Sequence, residues 1–110
     1  MGQLELGLDV LKSSLPPVGA RVVGGFRNLD QIRTRAWRGN VDWPKLDMGN
    51  EENNLLAQLF GSFDDGIRIL DLKLHQAVLL GYIPASPEEE YALTRQWRSL
   101  MRTVTRRVSH

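Results

Sequence analysis

The sequence contains no cysteine, and histidine is almost as scarce, with two in 110 residues. The absence of cysteine excludes a disulfide scaffold, a thiol nucleophile, a cysteine-ligated zinc site and an iron–sulfur cluster. Catalytic zinc usually takes three protein ligands, whereas His75 has only Asp71, four residues earlier, as a companion. We therefore expect no metal and no cofactor, and we interpret this pair as a surface ion pair or hydrogen bond.

No motif for nucleophilic or phosphate-binding chemistry is complete either. The serines lack the Gly-x-Ser-x-Gly setting of a nucleophile elbow. The Gly61-to-Gly66 spacing lacks the Lys-Ser/Thr that completes a phosphate-binding loop. Asp64 and Asp65 are adjacent, so in a helix they would point about 100° apart and could not share a proton. The sequence therefore predicts a protein that is not an enzyme.

Long hydrophobic runs and a strong charge imbalance are also missing. No stretch approaches the roughly 18 apolar residues of a transmembrane helix, and the first residues lack the basic start of a signal peptide. The net charge is +1, from 14 basic and 13 acidic residues, whereas nucleic-acid-binding domains are usually more basic. We expect a cytoplasmic protein with no membrane contact, for which a protein partner is favoured over nucleic acid.

The composition and the first segments indicate the domain organisation. Hydrophobic residues make up 42% and charged residues 25%, which is typical of a globular domain, and we expect a single helical domain over residues 1–110. Residues 4–15 are ambiguous between strand and helix, and we favour a short helix. Residues 16–28, with two prolines and three glycines, are interpreted as a connector. Asn28 can then cap a short helix that ends near Gly39.

The central segment carries the most informative pattern. Its apolar residues recur at alternating steps of four and three, as in a heptad repeat: Leu56, Phe60, Phe63, Ile67, Leu70, Leu74, Ala77 and Gly81. This spacing predicts one long helix over about residues 51–82, capped by Asn50. The competing interpretation is a break near Gly66, because glycine costs about 1 kcal/mol in a helix and Asp65-Gly66 is a turn signal.

The last segment shows the clearest helix signals. Ser86 can cap a helix over about residues 87–108, with Pro87 at its first position and Glu89 completing a capping box. The apolar positions of this segment, Trp97 among them, fall on one helical face. The short link to the central helix predicts antiparallel packing. The predicted fold is therefore all-α, a long antiparallel helical hairpin with short N-terminal helices.

The central helix also carries more apolar surface than one neighbour can cover. A second apolar stripe that includes Ile69, Leu72 and Leu79 runs beside the heptad positions. A helix over residues 51–82 would span about 48 Å, more than a compact domain of this size. We predict a homodimeric bundle, the alternative being a monomer in which the N-terminal leucines cover the second stripe. The predicted dimer interface comprises Phe60, Phe63, Ile67, Ile69, Leu70, Leu72, Leu74 and Leu79.

Arginines on the C-terminal helix support an alternative function. Arg95, Arg98, Arg102 and Arg106 form one helical stripe, which could follow the phosphates of a nucleic acid. The three glutamates at the start of the same helix oppose this interpretation, because they would repel a phosphate backbone. Nucleic-acid binding therefore stays the alternative.

The favoured function is binding to another protein. Trp and Arg are the residue types most enriched at protein-binding hot spots, and both cluster around one loop. The predicted partner-binding residues are Arg33, Arg35, Trp37, Arg38 and Trp43. Trp37 could instead close the core. By analogy of size and class, the chain would be a small regulator of antiactivator type that masks the interface of a partner such as a transcription regulator.

Overall fold

The computed structural model describes residues 15–108, most of which are helical. The described range contains five α-helices: α1 (Val18–Arg33), α2 (Leu55–Phe60), α3 (Phe63–Leu70), α4 (Leu74–Leu79) and α5 (Glu90–Val108). Short 3₁₀ turns occupy Arg35–Asn40, Trp43–Lys45 and Pro87–Glu89. No strand occurs in this range, which confirms the all-α class, and none of its helices has the length and hydropathy needed to cross a bilayer. The helix favoured for residues 4–15 lies, except for Leu15, outside the described residues.

Helix α1 corrects the prediction for the N-terminal half. Residues 18–28, expected to belong to a connector, form the first part of α1, so the prediction of a helix that starts at Asn28 was wrong. Pro17 precedes the helix, where its fixed φ angle is tolerated. Gly25 permits close packing: a Cβ atom there would lie 1.9 Å from the carbonyl oxygen of Leu80. Gly25 therefore brings two backbones together, and the glycines of this segment do not break the helix.

The predicted continuous helix over residues 51–82 was wrong, because the segment forms α2, α3 and α4. Gly61 ends α2 with a φ angle of 95°, and the side chain of Ser62 then caps α3 by accepting a hydrogen bond from the Asp65 amide. Asp71 ends α3 in the left-handed conformation, with a φ angle of 55°. The alternative break near Gly66 is also absent, since Gly66 lies inside α3. The described residues therefore contain no hairpin of two long helices.

The predicted Asn50 cap is displaced as well. The side chain of Asn50 accepts hydrogen bonds from the amides of Glu52 and Asn53, at 2.8 and 2.9 Å, and so closes a turn. Asn54 caps α2 instead, because its Oδ1 accepts a hydrogen bond from the Ala57 amide at 2.9 Å. Residues 51–54 therefore form a turn that precedes the helix.

The prediction of the C-terminal helix is confirmed: the 3₁₀ turn at Pro87–Glu89 and helix α5 cover the predicted range, and predicted apolar positions of α5 pack in the core. Leu93 and Trp97 of α5 are fully buried. Trp97 Nε1 donates a 2.7 Å hydrogen bond to the carbonyl of Gly81, and the indole stacks on Tyr82 with ring centroids 6.3 Å apart. The predicted capping box was wrong in its details: Ser86 makes no side-chain capping bond, and Glu89 accepts from the Ala85 amide.

One buried ion pair joins α1 to the segment before α5. Arg21, only 2% exposed, donates from Nη2 to Glu89 Oε2 at 2.6 Å and from Nε to the Pro16 carbonyl at 3.0 Å. Around it, α1 and α5 pack against each other over a core that includes Val22, Leu29 and Trp97. This core holds the surfaces described below in place.

Candidate interaction surfaces

Trp37 and Arg38, two of the predicted partner-binding residues, share one carboxylate. Asp30 accepts hydrogen bonds from Trp37 Nε1 at 2.8 Å and from Arg38 Nη2 at 2.5 Å. The Arg38 guanidinium also lies over the ring of Phe26, 4.2 Å from its centroid. Trp37 is 3% exposed and packs edge-on against Phe26 and Trp97. Trp37 therefore closes the core, as the alternative interpretation allowed.

Trp43 is half-buried, and both its indole and its carbonyl make hydrogen bonds. Its Nε1 donates to the carbonyl of Arg38 at 3.0 Å. The Arg98 side chain of α5 donates to the carbonyls of Trp43, Pro44 and Leu46, at distances of 2.7 to 3.1 Å. These contacts fix the Trp43 loop against α5.

Arg33 and Arg35 are the two predicted partner-binding residues that are exposed. The Arg33 guanidinium lies 4.9 Å from the centroid of the Phe60 ring, so α1 and the end of α2 meet there. Thr34, between the two arginines, has φ 61° and ψ 172°. The structure therefore separates the five residues into a buried part and an exposed basic part.

The predicted dimer-interface residues also fall into two groups. The larger group is buried in or packed against the core: Phe60, Phe63, Ile67, Leu70 and Leu72. The smaller group is exposed: Ile69, Leu74 and Leu79. Ile69 lies on α3, and both leucines lie on the following helix α4. We refer to these three exposed side chains as the α3–α4 surface.

A cleft of about 780 Å³ opens where three segments meet: the turn at residues 48–54, the start of α3 and residues 82–87. Its apolar lining includes Phe63, Ile83 and Pro84. Its acidic lining consists of Glu51, Glu52, Asp64 and Glu90, and the residues that line it include no lysine, arginine or histidine. We call this feature the acidic cleft.

The acidic cleft has no counterpart among the predictions from the sequence. A continuous helix over residues 51–82 would keep Glu51 and Glu52 about 18–20 Å from Asp64 along its axis. The fold brings them together because Gly61 and the Asn50 turn redirect the chain. The excess of acidic residues between positions 51 and 87 is the one sequence signal that pointed to this surface.

The arginine stripe of α5 is not uniformly available. Arg95 and Arg102 are exposed, and the Arg95 guanidinium lies 5.8 Å from the centroid of the Tyr91 ring. Arg98 is occupied by its three bonds to backbone carbonyls. Because Arg98 already bonds to these carbonyls, it is not free to contact phosphates, which weakens the alternative of nucleic-acid binding.

The next features are the Asp71 and His75 pair singled out in the sequence and the buried hydroxyl of Tyr82. Asp71 ends α3 and His75 lies on α4, and no ion pair or hydrogen bond joins these two exposed residues. In the described part of the chain, no three His, Asp or Glu side chains are grouped so that they could hold a metal ion. Burial raises the pKa of the Tyr82 hydroxyl well above its ordinary value. That hydroxyl lies 2.9 Å from the Gly25 carbonyl and 2.6 Å from Asn28 Oδ1, so it links α1 to residue 82.

Comparison with known proteins adds no functional assignment. No family model matches the chain, and neither a curated protein nor a solved structure is significantly similar to it. The functional argument therefore depends on the surfaces of the chain itself.

Proposed function

We propose that this chain is a non-enzymatic regulatory protein that acts by binding another protein. The observation that carries the proposal is the α3–α4 surface: Ile69, Leu74 and Leu79 are 54%, 62% and 42% exposed. Fully burying an aliphatic side chain of this size stabilises a protein or complex by about 1.5–3 kcal/mol. We take these exposed side chains of two successive helices as the candidate contact for a protein partner.

The first occupant that we propose for this surface is a second copy of the chain. The dimer argument from the length of a single helix no longer applies, because the central segment forms three helices. The second apolar stripe likewise depended on that helix, so what supports a homodimer is the exposure of Ile69, Leu74 and Leu79, three of the predicted interface residues. A two-fold axis at α4 would bring the same side chains of two copies together.

The regulatory role is proposed as masking of a partner's interface, such as that of a transcription regulator. A chain of this kind would cover a surface that its partner needs for another contact. Arg33 and Arg35 are exposed and supply the positive charge from the predicted partner-binding group. Trp37 and Arg38 belong to the same 3₁₀ turn as Arg35 and are both bonded to Asp30, so they would hold this turn in place.

The test compares the wild-type chain with the double variant Leu74→Glu, Leu79→Glu. Because both side chains are exposed, the variant should fold normally by circular dichroism. The matched control is Tyr91→Glu, which places a charge on the exposed Tyr91 of α5. Sedimentation at micromolar concentration should show a dimer for the wild type and the control, and a monomer for the double variant.

The partner is tested by cross-linked capture from native cells, followed by reconstitution with the purified captured protein. Binding should be lost in the double variant and kept in the Tyr91→Glu control. A monomeric wild type would remove the homodimer from the proposal. Failure to reconstitute any complex, or unchanged affinity of the double variant, would contradict protein binding through the α3–α4 surface.

A further inference from the structure

The acidic cleft holds a concentration of negative charge that the ion pairs between described residues do not neutralise. Four carboxylates line it, and no cation does. The ion pairs of the described residues involve other carboxylates, those of Asp30, Asp42, Asp65 and Glu89. The whole chain has a net charge of only +1, so this local excess is a property of the cleft.

The described arginines of α5 do not line the cleft. Glu90, at the start of α5, lines it. Arg102 follows more than three turns later on the same helix, about 18 Å away. Arg95 and Arg98 are nearer, but the Arg95 guanidinium lies 5.8 Å from the Tyr91 ring centroid, and that of Arg98 is bound to the carbonyls of Trp43, Pro44 and Leu46. Among the described residues no cation supplies the complementary charge at the cleft, and we look to another molecule for it.

We propose that the acidic cleft binds a basic peptide segment of the partner protein, with at least one large apolar side chain in that segment. The proposal rests on the proposed function, since it names the chemistry of the partner. Lysine or arginine side chains would face Glu51, Glu52, Asp64 and Glu90, while the apolar side chain would pack against Phe63 and Ile83. The cleft volume of about 780 Å³ lies in the range of about 300–1,000 Å³ that is typical of binding pockets.

The shape and charge of the cleft favour this occupant over the others. A nucleic acid would bring its phosphates against four carboxylates, which repel them. A lone metal ion would need ligands grouped closely, and such a group is absent from the part of the chain that the structure describes. An extended peptide can satisfy separated carboxylates and an apolar lining together, because its side chains project at intervals along the backbone.

The probe is a fluorescein-labelled peptide of three Arg-Leu-Ala-Arg repeats, measured by fluorescence anisotropy against the full chain. Two matched peptides accompany it, one with Glu in place of every Arg and one with Ala in place of every Leu. The basic apolar peptide should bind, the Glu peptide should not, and the Ala peptide should bind about tenfold more weakly. Binding should fall steeply at about 1 M salt, where the Debye length is about 3 Å.

The cleft variant is Glu51→Gln, Glu52→Gln, Asp64→Asn. These three side chains make no ion pair with another described residue, so their neutralisation should leave the fold intact. The control variant is Asp42→Asn, Asp65→Asn, Asp71→Asn, which removes the same charge outside the cleft. The cleft variant should bind the basic peptide at least tenfold more weakly than the wild type, and the control should bind like the wild type.

Three results would overturn the proposal: no binding of the basic peptide, equal binding of the Glu peptide, or an equal loss in both variants. The Leu74→Glu, Leu79→Glu variant separates the two proposals. If that variant retains the partner protein while the cleft variant fails to lose the peptide, both surfaces are wrongly assigned. If only peptide binding fails the test, the cleft assignment is wrong and protein binding through α3–α4 stands.

Discussion

Arg98 and Leu46 are 52 positions apart, yet Arg98 Nη2 donates a 2.7 Å hydrogen bond to the Leu46 carbonyl. The same side chain donates to the carbonyls of Trp43 and Pro44, at 3.1 and 3.0 Å. One guanidinium thus bonds to three carbonyls of this short loop, of which that of Trp43 also accepts from the Leu46 amide. Such charged hydrogen bonds are stronger than neutral ones, so this residue determines how the Trp43 loop sits on α5.

We predict that Arg98→Ala lowers the free energy of unfolding by about 1.5–3 kcal/mol, because hydrogen bonds to a charged donor are lost. Arg98→Lys should recover only part of this loss, since an ammonium cannot reproduce the planar fork. The control is Arg95→Ala, an exposed position on the same helix, with an expected change within about 0.5 kcal/mol. Urea denaturation followed by tryptophan fluorescence measures all three. Equal stability of the Arg98→Ala and Arg95→Ala variants would show that the loop does not need the guanidinium.

The C-terminal helix could be predicted because its signals are local. Pro87, the acidic residues after it and the apolar face that contains Leu93 and Trp97 all lie within the segment that they specify. Even there, the capping box could not be foreseen to fail, because the Glu89 carboxylate that would complete it accepts from the Ala85 amide and pairs with Arg21, 68 positions away. A competing tertiary contact decides which local bond is made.

The prediction of one central helix was wrong because a heptad spacing does not require a continuous helix. Leu56, Leu70 and Ala77 are all buried, as the spacing predicts, yet they lie on three different helices. The signal for the first break was present, since Gly61 is followed by Ser62, a favoured N-cap residue. The acidic cleft could not be predicted at all, because it is built from three segments whose approach depends on these breaks.

Thr34 should be a site where glycine stabilises the protein. Its φ of 61° and ψ of 172° belong to a region that is occupied almost only by glycine. Such strain costs about 1–3 kcal/mol, which glycine would relieve. The larger unfolded-state entropy of glycine would offset about 0.5–1 kcal/mol of this relief. We expect Thr34→Gly to raise the free energy of unfolding by about 1 kcal/mol. The control Ala36→Gly, in the adjacent 3₁₀ turn, should lower it, and a destabilised Thr34→Gly variant would show that Thr34 is not strained.

We predict that the buried Tyr82 hydroxyl makes the free energy of unfolding fall at alkaline pH. Burial raises the pKa of its hydroxyl above the unfolded value near 10. Folding therefore favours the neutral phenol: this contribution is complete below about pH 10 and is lost as the pH rises above it. Denaturant titrations across this range should show a steeper decline for the wild type than for Tyr82→Phe. The Tyr91→Phe variant is the control, because Tyr91 is exposed, and a decline in Tyr82→Phe that matches the wild type would contradict the assignment.

The Arg21–Glu89 pair should contribute more to stability than the cap predicted at Ser86. Arg21 is 2% exposed and its partner 27%, so Glu89→Ala leaves a buried guanidinium without its carboxylate and also frees the Ala85 amide. Removing one member of a buried pair costs about 3–5 kcal/mol, and we expect the lower end because Glu89 is partly exposed. Ser86→Ala should change stability by less than about 0.5 kcal/mol, since the Ser86 side chain makes no capping bond. Replacing both members, as Arg21→Met with Glu89→Leu, should restore much of the loss, because the buried charge is then gone. Equal stability of the Glu89→Ala and Ser86→Ala variants would show that the ion pair does not stabilise the contact between α1 and α5.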